Sequence, residues 1–290
     1  MPQNKFYTIG IDVGGTKLAG VLFDGQKIIA DYVLATPKDG LDHFLVMLNA
    51  LVEPLLEKAK KDKIKVSGLG LGVPGPLDKD GRLLDLPNLA ILNGTRLAEI
   101  VEKRLGISAA IDNDANCFVR AEAKLGAGKK YPNFFGLTIG TGIGGGWWHK
   151  DEIYEGEHRG AGEPGHIIIN CDTGIDLETA YQKLVQGNAA KLAEEAYRGD
   201  VLAQKAFAEF GQYLGIVLAD IVNLIDPQAI IIGGGVAQVS DLFLPQAKKI
   251  MRQYIISAEA RKIKLLKSKL GPQAGAIGAA LLASQTNRRS

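Results

Sequence analysis

The sequence predicts an α/β chain made of two related units that face each other across a cleft. Strand-length apolar runs alternate with helical stripes along all 290 residues. Residues 8–15 (TIGIDVGG) are echoed by residues 138–145 (TIGTGIGG), so one unit occurs twice. The strand-like runs also end in glycine clusters, which suits loops that approach a ligand closely.

The first element is an apolar run over residues 6–13, long enough for a buried strand, which meets Gly14, Gly15 and Thr16. A Walker A loop would place Lys directly after its last Gly, then Ser or Thr, and would open a helix. Here the order is Gly15, Thr16, Lys17, and two further strand-like runs follow with Asp24 and Gly25 as the turn between them. The loop therefore joins strand to strand. Consecutive glycines let backbone N–H groups reach an anion, and Asp12 just before them suits a divalent cation beside that anion.

Residues 41–62 carry a helical stripe interrupted by Pro54, and residues 66–73 read as a buried strand ending at Pro74, Gly75 and Pro76. An excursion over 77–92 precedes a helix over 96–105, with Thr95 or Asn93 as its cap. A strand over 107–111 ends in Asp112, Asn113, Asp114, Ala115 and Asn116, and a helix follows to about Leu125. The linker-like run 126–133 puts a boundary between a domain of residues 1–125 and one of residues 126–273. In the second unit Gly140, Gly142 and Gly145 fit GxGxxG, but the loop continues into the β-prone run GWWHKDEIY, whereas a dinucleotide fingerprint must open a helix. Helices over 176–185, 188–198 and 201–225, a strand over 229–232 meeting Gly233, Gly234 and Gly235, a helix over 240–255 and a strand over 262–270 complete it. A small-residue helix, 274–290, is expected to pack back on the first unit.

Composition narrows the function. Lys and Arg number 34 against 32 Asp and Glu, and 46% of residues are hydrophobic, which fits a full core and carries no nucleic-acid or membrane footprint. Cys117 and Cys171 lack the spacing of a disulfide framework, and the N-terminus has no apolar signal core, so a soluble protein of the reducing cytoplasm is expected.

Two anion loops, the carboxylate of Asp12 and a third glycine cluster amount to a nucleoside triphosphate site without a Walker motif. Phosphoryl transfer to an alcohol also needs a carboxylate at a strand end that accepts the hydroxyl proton. Asp112 and Asp114 compete for this part. Alternation carries Asp114 beyond the strand toward the cleft, and the amide of Asn113 suits a sugar hydroxyl; the competing reading is that these residues simply cap the next helix. Glu163 and His166 share a glycine-rich loop and are placed to reach one polar ligand, while Glu178 begins a helix, where an acid also complements the dipole.

Residues 11–17 (IDVGGTK), 72–76 (GVPGP), 87–89 (PNL), 112–117 (DNDANC), 138–146 (TIGTGIGGG), 162–166 (GEPGH), 223–235 (NLIDPQAIIIGGG) and 274–283 (AGAIGAALLA), in this order, resemble the sugar kinases of the ROK family (repressor, open reading frame, kinase). The resemblance implies two actin-like ATPase (ribonuclease H-like) domains with a cleft between them. It implies transfer of the ATP γ-phosphoryl group to the 6-hydroxyl of a hexose, glucose first, with N-acetylglucosamine, N-acetylmannosamine, mannose or fructose as alternatives and polyphosphate as the alternative donor. By the same resemblance Asp114 is the general base. Gly75, Asn88, Asn113, Glu163, His166 and Glu178 hold the acceptor, and Asp12, Gly14, Gly15, Thr16, Lys17, Thr141, Gly142 and Gly234 hold ATP, with Mg²⁺ on Asp12 through water. Family members are commonly homodimers. Sugar-sensing repressors share the family, but they carry a winged DNA-binding domain ahead of the first loop, for which the start of the first strand at about Phe6 leaves no room. One departure stands out: the family's His and three-Cys zinc knuckle is reduced to His166 and Cys171 in a shortened loop, so no structural zinc is expected, and Glu178 aligns only by its neighbours Leu177 and Thr179.

Overall fold

In the computed structural model, which describes residues 6–289, strands β1 (Tyr7–Val13), β2 (Lys17–Phe23) and β3 (Ile28–Ala35) form an antiparallel meander. Helix α1 (Leu41–Lys61) crosses to β4 (Val66–Val73), which pairs parallel with β1; α2 (Leu97–Leu105) then leads to β5 (Ala109–Asn113), parallel to β4. Helix α3 (Asp114–Lys124) leaves β5 without a gap. The second half holds β6 (Asn133–Ile139), β7 (Ile143–His149), β8 (Glu152–Ile153), the small pair β9 (Ile168–Asn170) and β10 (Ile175–Asp176), and helices α4 (Leu177–Val185), α5 (Ala189–Tyr197) and α6 (Val201–Ile225). It continues with β11 (Ala229–Gly233), α7 (Leu244–Tyr254) and β12 (Lys264–Lys267), before α8 (Ala274–Arg289); Ser290 of the expected terminal helix lies outside the described residues.

The two five-stranded sheets run β3-β2-β1-β4-β5 and β12-β11-β6-β7-β8. Read from its other edge, the second repeats the first strand for strand, with the same antiparallel and parallel pairings. The duplication is real, but the textual match is out of register. The hairpins close on Val13 with Leu18 and on Ile139 with Ile143, so Val13 corresponds to Ile139, four residues before the Ile143 that the sequence match pairs with it.

Alternation along the strands builds the layers. Ile230 and Ile232 of β11 join the core that holds Phe207, Phe210 and Leu214 of α6, while Ala229 and Ile231 face the opposite core around Phe118 and Val119 of α3. Ile9, Ile11 and Val13 of β1 pack with Phe44, Leu48 and Leu51 of α1. Helices α3 and α8 thus lie between the two sheets, and the remaining helices cover the outer faces. The small-residue character of α8 follows from this place: a Cβ on Gly278 would run into the carbonyl of Cys117 on α3.

Several elements differ from the sequence expectation. The helix over 240–255 is a tight 3₁₀ run, Gly235–Leu242, followed by the shorter α7, because Phe243 breaks the helical geometry. The strand over 262–270 shortens to β12, and β5 ends at Asn113 instead of residue 111. Neither Thr95 nor Asn93 caps α2: Thr95 donates to Leu92 O, and Asn93 accepts from Leu86 N. Among the described residues α6 is the one helix long and apolar enough to cross a membrane, and its buried side chains instead form the centre of the second core.

Candidate active site

The junction of β5 and α3 divides the acidic cluster among three separate jobs. Asp112 is buried and bound to Arg120 at 2.7 Å, and its other oxygen accepts from Asn113 N and Asn116 Nδ2. Asn113 is the N-cap: its side-chain oxygen accepts from Ala115 N at 2.8 Å and Asn116 N at 3.3 Å, and its Nδ2 donates to Gly75 O at 3.2 Å. Asp114 opens the helix, and its Oδ1 accepts the adjacent Ala115 amide at 2.8 Å. Burial raises the Asp114 carboxyl above its ordinary value and the Asp112 charge adds to this, while the Ala115 amide opposes it. Of the two acids, Asp112 is thus taken up by Arg120, eight residues on, a partner that no spacing rule singles out.

Asp12 lies nearby, one residue before the end of β1. Burial pushes its carboxyl up to about 7, the Asp114 charge adds to this, and Lys17 works against it. The first turn of α8 meets it closely, since a Cβ on Gly275 would lie 2.6 Å from Asp12 Oδ2.

The two glycine turns are braced from outside. In the first, Thr36 donates its hydroxyl to Gly14 O at 2.7 Å and its amide to Thr16 O at 3.1 Å. In the second, Tyr181 donates to Gly140 O at 2.7 Å and Gln182 donates to Thr141 O. Among the described residues, the amides of Gly15, Thr16, Thr141 and Gly142 donate no hydrogen bond within the chain. Both turns thus combine braced carbonyls with unsatisfied amides, the arrangement an anion cradle needs. Thr36, Tyr181 and Gln182 escaped the sequence reading; the last two lie three and four residues after Glu178 on one helix face, a spacing that marks them as its neighbours.

Glu178 is held at both oxygens: its Oε2 accepts from Ile143 N at 2.6 Å and its Oε1 from Gln182 Nε2 at 2.8 Å, so the carboxylate braces the second turn. His166 is exposed, with Nδ1 3.1 Å from Asp176. Asp176 resists the upward pull of burial through Thr179 and His166 and stays below its ordinary value. Glu163 is raised by desolvation, lowered in part by His166 and raised again by the Asp114 charge. Glu163, Asn113, Gly75, Arg159 and Glu155 line one cavity of about 10 Å³, and Arg159 Nη1 also donates to Asp78 O at 3.3 Å. Asn88 packs beside the first turn, its Cβ about 3.5 Å from a Cβ placed on Gly15. Gly234 is exposed, has φ +87°, and abuts the Ile139 backbone just before the second turn.

Two sheet-based halves of one topology, with matched glycine turns at the head of a shared central layer, define an actin-like ATPase fold. The sequence profile of the ROK family matches residues 8–180 and 172–286, and the chain belongs to that family. It is 32% identical to an N-acetylgalactosamine kinase of Shewanella sp. (strain ANA-3), covering 94% of this chain and 95% of that one. Among solved structures it is similar to a ROK hexokinase of Thermus thermophilus, with 30% identity, a TM-score of 0.82, and 98% and 100% of the two chains covered. It is also similar to a ROK glucokinase of Streptomyces griseus in complex with glucose and AMPPNP, with 29% identity, a TM-score of 0.81, and 96% and 99% covered. Within the family the chain falls among the sugar kinases, phosphotransferases with an alcohol acceptor.

Proposed function

We propose that this chain is an ATP-dependent kinase that phosphorylates the 6-hydroxyl of a hexose, with glucose as its first acceptor. The observation that carries this reading is Asp114: a carboxylate raised by burial, hydrogen-bonded only to local backbone among the described residues, at the head of a central helix near two turns with unsatisfied amides. Asp114 takes the proton from the acceptor hydroxyl as its oxygen bonds to the γ-phosphorus and the bond to the departing ADP oxygen breaks. Asn113, Glu163, His166, Asn88 and the backbone at Gly75 hold the other hydroxyls. The amides of Gly15, Thr16, Thr141 and Gly142, with Lys17, hold the phosphates, and the exposed backbone at Gly234 takes the adenosine.

Asp12 fits Mg²⁺, since a carboxylate pushed up to about 7 by burial and by a second acid gains from a dication. No group of three or more His, Cys, Asp or Glu side chains is gathered among the described residues, so the ion would rest on Asp12 through water and on phosphate oxygens. When bound, it neutralises charge on the phosphates.

A second acceptor class, the N-acetylhexosamines, is favoured by the 32% identity to a kinase of that class. A coupled ADP-release assay over glucose, mannose, fructose and the N-acetylhexosamines separates the two. The highest kcat/KM on glucose supports the first reading, the highest on an N-acetylhexosamine supports the second, and no turnover with any of them overturns both. Asp114→Asn is expected to abolish turnover while sugar affinity, measured calorimetrically, stays within about tenfold.

A further inference from the structure

Glu122 is an acid with no part in the chemistry above, yet it is 0% exposed. A buried carboxylate is costly unless donors converge on it. Four do: Ala127 N and Ser268 Oγ at 2.6 Å each, and Lys269 N and Leu270 N at 3.1 Å each. They come from two places. Ala127 lies in the connection from α3 to β6, and Ser268, Lys269 and Leu270 lie in the connection from β12 to α8. These are the two places where the chain passes between the parts built on the first and second sheets. Both are fastened to one side chain, and that side chain sits on α3, about 12 Å along the helix from Asp114 at 1.5 Å per residue.

We propose that Glu122 is a positioning residue for phosphoryl transfer: it pins both connections to the helix that presents Asp114, so the two halves turn about this point as they close on their substrates. The proposal rests on the kinase reading of Asp114. Only hydrogen-bond acceptors fit at the pin, because backbone amides and a hydroxyl all point at it. Ser268 passes the arrangement on by accepting from Gly271 N at 3.1 Å, just ahead of α8. The first turn of α8 in turn abuts Asp12. One carboxylate is therefore linked along α3 to the proposed base and along α8 to the proposed cation-binding acid.

Glu122→Gln keeps the shape but turns one acceptor into a donor that faces donors. A folded Glu122→Gln variant, assayed well below its melting temperature, is expected to lose about tenfold in kcat, with KM for sugar and ATP within about threefold of wild type. Small-angle scattering is expected to register compaction of the wild type on adding glucose and AMPPNP, and a smaller change in the variant. A buried group that only held the fold together would lower the melting temperature and leave kcat and compaction at wild-type values. That result overturns the proposal, as does a lower kcat with unchanged compaction, or a wild type that does not compact. If Glu122→Gln does not fold, Ser268→Ala decides: a kcat loss of about threefold with reduced compaction supports the pin, and wild-type behaviour overturns it. Compaction needs binding and not turnover. A wild type that compacts but phosphorylates no hexose therefore removes the kinase reading, and with it the role in phosphoryl transfer, while the pin stands or falls on compaction; a working kinase indifferent to both substitutions removes the pin alone.

Discussion

At Asp114 and Asp12 the same burial has two opposite consequences. A base raised above its ordinary value must still be ionised to accept a proton, so the acid limb of kcat/KM is expected above the ordinary carboxylate range and is checked by a pH–rate profile. Asp12 titrates in the folded chain at about 7 against an ordinary 3.8. Between those values the folded chain keeps a proton that the unfolded chain has released. Its contribution to stability is therefore fully present below about pH 4, falls as pH rises toward 7, and stays lost above it. Asp12→Asn is expected to flatten this slope and raise the melting temperature at pH 8 without nucleotide, while weakening Mg²⁺-dependent nucleotide binding. Thermal melts of both proteins from pH 4.5 to 8 with equal slopes would refute this. The acids themselves were legible as a cluster. Which acid stays available was not, because that depends on Arg120 reaching Asp112 from two helical turns away.

At the scale of elements, α3 and α4 each do work that their sequences only half disclose. Helix α3 is capped by Asn113, opened by Asp114 and gripped along its length by the second sheet and α8. Gly278→Ala would force a methyl into the Cys117 carbonyl between two packed helices, and a loss of about 3 kcal/mol or failure to fold is expected, read by chemical denaturation. Helix α4 holds the second glycine turn with Glu178, Tyr181 and Gln182. Gln182→Ala removes one brace, and is expected to raise KM for ATP several-fold with the sugar KM little changed, by steady-state kinetics. A change confined to the sugar KM would instead return this helix face to the acceptor. The strand and helix pattern was readable here because period-2 and period-3.6 stripes report which face is buried. The partner on the buried face was not, because Tyr181 meets Gly140 across 41 residues of chain.

At the scale of the whole molecule, the expected solution state is a homodimer, against a chain mass of 31.0 kDa, and light scattering checks it. Metal analysis of the purified protein is expected to find no bound zinc, since His166 pairs with Asp176 and Cys171 is exposed; one zinc per chain would overturn this. The sequence by itself determined the duplicated α/β architecture and the strand-to-strand glycine turns. Those follow from local patterns: apolar periodicity, glycine at strand ends, and the absence of a helix after either turn. Only the tertiary structure decided the true register of the duplication, the bracing role of Glu178 and the convergence of both crossings on Glu122. Each of these is a contact between segments far apart in the chain, and such contacts are set by how layers pack and where buried donors find acceptors, which no local spacing encodes.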